Sequence, residues 1–222
     1  QAALLFAITP GSPSNPFEER HQDRNFALIL AIFELGARNG ETLGLKRLDL
    51  RLGGPSPTLA IHRRQNDADD VRRRPAKSKT KARTLPISAP LAGVLGIWTT
   101  GRRLNGTIYP RANRSPYLFV SERGRPIDGS TVEKIFRMLR EVEGIPPWLT
   151  AHKLRHTFND RFSEMIDDLP DHILRPAVEA RMRNFLNGWS PTSQQGEHYR
   201  RRFVEAKGHD MLLKLQDLSA QG

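Results

Sequence analysis

The run FALILAIFELGAR, residues 26–38, restricts the fold of this chain more than any other stretch. It is long enough for a helix, and a helix apolar around its circumference must be covered on most sides. Gly36 or Gly40 closes it, since glycine readily takes the conformation that ends a helix. A buried helix needs a body around it, and 222 residues supply one large domain or two small ones. No apolar run approaches the roughly 18–20 residues of a membrane span. The opening QAALLFAITP is too short for a secretory signal and lacks its basic leader. The chain has no cysteine, which excludes disulfide staples, thiolate zinc sites and cysteine nucleophiles, and fits a reducing cytosol.

The rest reads as mainly helical with a small antiparallel sheet, an α+β class. GSPSNPFEERHQDRN is a turn-rich lead-in to the buried helix. TLAIH (58–62) and RTLPIS (83–88) have the pattern of two strands joined by a long hairpin, and YLFV (117–120) that of a third. APLAGVLGIWTTGRR predicts an amphipathic helix with Leu91, Val94, Leu95 and Trp98 inward. Ser130-Thr131-Val132-Glu133 has the form of a capping box for a helix through Leu139. Thr150 is placed to cap AHKLRHTFNDRF, and a further helix is expected over 174–187. The tail VEAKGHDMLLKLQDL is amphipathic, with Met211, Leu212, Leu215 and Leu218 on one side.

Charge narrows the partner. Lys plus Arg number 35 against 24 Asp plus Glu, a net +11. More than half of that surplus lies in HRRQNDADDVRRRPAKSKTKAR, residues 62–83, with nine Lys/Arg against three Asp. Cations that displace counterions from phosphates supply most non-specific nucleic-acid affinity, so a polyanion is the expected partner. A solvated basic loop is the plain alternative.

Four islands carry side chains able to do chemistry. In Gly36-Ala37-Arg38-Asn39-Gly40-Glu41, an arginine stands where the buried helix ends, its fork matched to two phosphate oxygens, with Glu41 near enough to orient a neighbour. In His152-Lys153-Leu154-Arg155-His156, His152 and Arg155 project from one helical face about a turn apart. His152 and His156 have a metal-ligand spacing, but Lys153 stands where a zinc-protease helix needs Glu, and no third ligand is evident, so no metal is expected. Tyr199 precedes three arginines, and Trp189 lies ten residues upstream with an indole N–H that donates but cannot shuttle a proton. Lys77, Lys79 and Lys81 precede Arg83 on the hairpin. Each island alone has an ordinary structural explanation: a helix-end ion pair, a buried histidine, a core tyrosine, solvated lysines.

Their order does not. Arg38, Lys79, His152-Lys153-Leu154-Arg155, Trp189 and Tyr199 together resemble the tyrosine recombinase, or phage integrase, family. HKLRHTF is the most specific stretch; GARNGETLGLKRLDL resembles the family's first arginine box, and KTKARTLPIS the hairpin carrying its lysine. The resemblance implies that Arg38 and Arg155 clamp a scissile phosphate. Tyr199 would attack it, forming a 3′-phosphotyrosine and releasing a 5′-hydroxyl. Lys79, or Lys77 if the hairpin carries an insertion, would protonate the leaving oxygen. His152 would accept the tyrosine proton, positioned by Glu41 and supported by His156, with His198 as an alternative acceptor. Trp189 takes the place of a second histidine. Arg72, Arg73, Arg74, Lys77 and Lys81 would hold duplex DNA. The resemblance also implies a site-specific recombinase that needs no metal or cofactor. It would be a homotetramer on double-stranded DNA, a monomer or weak oligomer when free, in the bacterial cytosol or nucleoid and off the membrane. Residues 1–24 would be a linker from a preceding DNA-binding domain, 25–203 the catalytic domain and 204–222 a C-terminal helix. Type IB topoisomerases and telomere resolvases share this chemistry, and a non-cleaving DNA-binding regulator on the same fold is a further reading.

Overall fold

The computed structural model describes residues 1–199 apart from Pro55, Gln65, Lys77, Lys79, residues 168–175 and His198. The expectations for Lys77, Lys79, His198 and the tail 204–222 lie outside the described residues.

Helix α2 (Glu19–Leu35) is the buried helix read from the sequence, with Ala27 to Phe33 enclosed. It starts earlier than the apolar run, within the stretch expected to be turns. Its polar residues Arg24 and Asn25 are enclosed because the Arg24 guanidinium donates twice to the Asn25 Oδ1, at 3.1 and 2.9 Å. Paired polar groups can be buried at little cost. Helix α1 (Ala2–Ile8) packs on α2 and buries Leu4, Ala7 and Ile8. Gly36 ends α2 at φ 57°. A side chain there would collide with the Phe158 ring, so glycine is required by both conformation and packing.

After the short helix α3 (Asn39–Leu43) come three antiparallel strands in the order β1 (Leu50–Arg51), β2 (Thr58–Ile61) and β3 (Arg83–Pro86). Leu59 pairs with Leu85, and both are buried on the core face. YLFV is not the third strand. Its residues 117–120 are all buried and make only single bridges, Lys46 to Tyr117 and Val120 to Pro126. Side chains take two of its carbonyls: Trp98 Nε1 donates to Leu118 O at 2.9 Å and Arg103 Nη2 to Tyr117 O at 3.0 Å.

Helix α4 (Ala89–Gly96) is capped by Ser88 Oγ and runs into a wider turn, with Leu91, Leu95 and Trp98 buried and Val94 partly so. Helix α5 (Gly129–Arg140) is capped by Asp128, whose Oδ1 accepts the Thr131 amide at 2.9 Å, two residues before the expected Ser130. Helix α6 (Ala151–Asp167) opens at Thr150 as expected, its hydroxyl accepting the Lys153 amide at 3.2 Å. Helix α7 is Pro176–Asn187. Helices α4 and α6 both pack on α2, and the end of α7 meets β3. The C-terminal ends of α2 and α7 therefore converge beside the first turns of α6.

Candidate active site

The site is built around a buried carboxylate. Glu41, on α3, is 2% exposed and bonds the Arg83 guanidinium through both oxygens, at 2.8 and 3.2 Å. It also accepts from Thr80 Oγ1 and, at 2.7 Å, from the Arg38 amide. Burial alone would raise this carboxyl's pKa, but the Arg83 hydrogen bonds and charge, with those of Thr80 and Arg38, hold it below the usual carboxylate range. Among the described residues the hydrogen-bond partners of Glu41 are Arg83, Thr80 and the Arg38 amide. Its work is to anchor β3 and the segment before it under the two arginines.

Arg155 on the first turns of α6 is 3% exposed, and its Nη1 donates to Gly36 O at the end of α2. Its Nη2 lies 3.4 Å from Asn187 O, and Arg38 Nη1 lies 3.4 Å from the same oxygen. Two guanidinium groups from distant parts of the chain thus meet at one carbonyl. Burial and then the nearby Arg38 charge depress Arg155 to about 10, with Glu41 opposing; burial likewise lowers Arg38. Both stay charged at neutral pH, and an anion between them would relieve the repulsion between the enclosed Arg155 and the half-buried Arg38.

The carbonyl of Asn187 is held in place by its own side chain. Asn187 Nδ2 donates to Asn159 Oδ1 at 2.9 Å and Asn159 Nδ2 to Asn187 Oδ1 at 3.1 Å, a reciprocal amide pair buried between α6 and α7. Gly188 follows at φ 64°, where a side chain would strike Arg83 and Thr80. Its carbonyl accepts the Lys81 amide at 2.9 Å, tying the lysine-bearing segment to the end of α7.

Trp189 comes next, 8% exposed, with no hydrogen-bond partner for its indole N–H among the described residues. It lines a cleft of about 500 Å³ together with Arg38, Arg63, Thr80, Lys81 and Gln195. Its ring lies stacked near Tyr199, centroids 6.1 Å apart at 19°, and under the Arg155 guanidinium at 5.6 Å. Tyr199, 7% exposed, has His156 on another side at 5.4 Å between centroids. His156 Nε2 is in turn 2.9 Å from His152 Nε2, and His152 is exposed. Arg38, Arg155, Trp189, Tyr199, His156 and His152 are therefore linked neighbour to neighbour, with Arg38 and Trp189 lining the cleft.

The sequence profile of the phage integrase family matches residues 14–170, more than half of the chain. The chain belongs to the phage integrase family. Among its relatives, the tyrosine recombinase XerC of Methylobacterium sp. (strain 4-46) is 30% identical over 135 residues, 61% of this chain and 36% of that protein. The XerC-like recombinase of Caldanaerobacter subterraneus is 28% identical, over 62% of this chain and 38% of its own length. The chain thus spans little more than a third of these relatives. Among solved structures, the XerH site-specific recombinase in a post-cleavage complex with a palindromic difH substrate has a TM-score of 0.63 at 20% identity, covering 93% of this chain and 50% of that one. The XerA recombinase has a TM-score of 0.55 at 21% identity, covering 92% and 60%. These likenesses establish the recombinase catalytic-domain fold.

In this phage integrase domain the basic segment 62–82 does not stand free. Lys46 Nζ ties it down through Asp67 and Asp69 at 2.8 and 2.7 Å. Arg72, expected to face DNA, instead folds inward. It donates to both oxygens of Asp70 and to the carbonyls of Leu43 and Ile127, and lies 4.9 Å from the Tyr117 ring centroid. Its alternation with charges of both signs allowed this: DADD supplies the internal anions. Arg73, Arg74 and Lys81 are exposed. The sequence reading overlooked Arg83, Asn159 and Asn187. Gly188 after Asn187 was the available signal, marking a helix end at a close approach.

Proposed function

We propose that this chain is the catalytic domain of a site-specific DNA recombinase that cuts and rejoins strands through Tyr199. The convergence of Arg38 and Arg155 on the Asn187 carbonyl, beside Trp189 and Tyr199, is the observation that carries the reading. A phosphate oxygen would take the place of that weakly bonded carbonyl. Two guanidinium forks and the indole N–H would stabilise the charge that builds on phosphorus during attack. Tyr199 Oη would form its bond to phosphorus as the bond to the 5′-oxygen breaks, the tyrosine proton passing to the histidines. A lysine of the 77–81 segment would protonate the leaving oxygen. The tyrosyl ester stores the bond energy, so the 5′-hydroxyl of another strand reverses the step without a nucleotide cofactor.

The relatives' names and the DNA complexes of the structural neighbours support double-stranded DNA as the partner. A homotetramer on DNA, with the tail around Met211–Leu218 docking on a neighbouring subunit, completes the proposal. The location follows from the substrate: cytosol or nucleoid. Among the described residues no helix is long and apolar enough to cross a membrane.

A nicked suicide duplex, in which the released 5′ fragment diffuses away, tests the reading. The expected result is a denaturant-stable protein–DNA adduct with the wild-type chain and none with Tyr199→Phe. An adduct persisting in Tyr199→Phe would overturn it. Relaxation of supercoiled plasmid lacking any specific site would favour a type IB topoisomerase instead.

A further inference from the structure

His152 is the imidazole expected to take the proton from Tyr199, yet His156 is the one whose ring lies against Tyr199. His152 meets His156 edge-on, with ring planes at 85° and the two Nε2 atoms 2.9 Å apart. Two imidazole nitrogens at that distance hold one hydrogen between them, one ring donating and the other accepting. The neutral pair has one bridging proton. After it takes up one more, the bridge survives, since a cationic ring donates to a neutral one and charge-assisted bonds are stronger. A second added proton would leave no acceptor and set two cations against each other.

We infer that His152 and His156 act as one proton-holding unit, with His156 the positioning residue that couples Tyr199 to the exposed His152. The inference rests on the recombinase reading for its reaction. In that reaction the Oη–H bond of Tyr199 breaks as Oη bonds to phosphorus, and the released proton is taken up at the free Nδ1 of the ring that donates the Nε2–H···Nε2 bridge, leaving one cationic ring hydrogen-bonded to one neutral ring. Exposure of His152 then lets solvent clear the charge before the next step. Lys153 and Arg155 are charged groups on the same helix as the pair, and Tyr199 is an ionisable group in contact with His156. These remain in any His156 variant, so a difference between variant and wild type isolates the pair.

Single-turnover cleavage of the suicide duplex, followed from about pH 5.5 to 9, is compared for wild type, His156→Gln and His156→Phe. Duplex affinity is measured alongside, and Tyr199→Phe serves as the blank. The glutamine keeps a hydrogen-bonding partner for His152 but cannot hold a proton. Both variants are expected to bind duplex like wild type. Both are expected to lose about tenfold or more of the plateau rate, and the acid limb of the rate profile is expected to differ from that of wild type, because the bridged pair takes up its proton as one unit. Glutamine restoring the wild-type rate and profile would overturn the inference, leaving His156 a packing residue. So would unchanged kinetics in both variants. Ring-nitrogen NMR of the wild-type protein gives a readout that needs no DNA cleavage: the two imidazoles are expected to titrate together, in steps abolished by His156→Gln. Independent titrations would also overturn the inference, whereas absence of any adduct with coupled titrations would count against the recombinase reading alone.

Discussion

Trp189, which lines the cleft, buries its indole N–H with no acceptor among the described residues. Leaving a buried donor unpaired costs about 1–3 kcal/mol on folding. On the proposed chemistry that donor is kept for a phosphate oxygen. Trp189→Phe therefore separates stability from function. Removing the orphaned N–H offsets the packing lost with the smaller ring, so the thermal midpoint is expected to stay near that of wild type. Single-turnover cleavage is expected to fall about 10²-fold, as when one preorganised donor is removed from a charged transition state. Loss of fold without loss of rate in the folded fraction would contradict this. Trp189 was recognisable in the sequence by its place in the order of islands. That its N–H is unsatisfied was not, because satisfaction depends on which backbone groups face it.

The segment between β2 and β3 shows what local sequence cannot sort. Arg72, Arg73 and Arg74 are consecutive and chemically alike, yet only Arg72 is enclosed, its fork taken by Asp70 and two carbonyls. Arg72→Ala is expected to lower thermal stability and to loosen the segment to limited proteolysis, since it strands buried Asp70. Arg73→Ala with Arg74→Ala is expected to leave stability unchanged while weakening DNA binding across all sequences. Its salt dependence, plotted as log affinity against log salt, is expected to flatten by about one to two charges. Equal effects from the two sets would contradict the assignment. The helices were legible because apolar period and caps are local: Thr150 before α6 and Gly36 after α2 stand where the sequence places them. YLFV misled because a fully buried apolar run reads as a strand, whether its carbonyls meet another strand or the side chains of Trp98 and Arg103.

Over the whole molecule, internal ion pairs couple the basic body to pH. Glu41, Asp67, Asp70 and Asp128 are all held below the usual carboxylate range; burial opposes the effect at the first three, and the Thr131 amide leads it at Asp128. A carboxyl whose pKa is lower folded than unfolded stabilises the fold above its unfolded value of about 4 and ceases to as pH falls through its folded one. Denaturant midpoints are expected to be level above about pH 5 and to fall steadily below 4. Glu41→Gln is expected to be less stable at pH 7, because Arg83 loses its anion, and to show a shallower acid decline. A decline as steep as that of wild type would remove Glu41 from the account. By itself the sequence determined the helical class, the central buried helix, the basic segment and the ordered set of residues that marks the family, because these depend on composition, period and short spacings. Only the tertiary structure decided that Arg38 and Arg155 meet at the Asn187 carbonyl, that Glu41 pairs with Arg83, and that Arg72 turns inward. Each of those outcomes is a choice among several possible partners for a charge, and burial makes the choice: whichever oxygen is enclosed beside the cation is the one it must take.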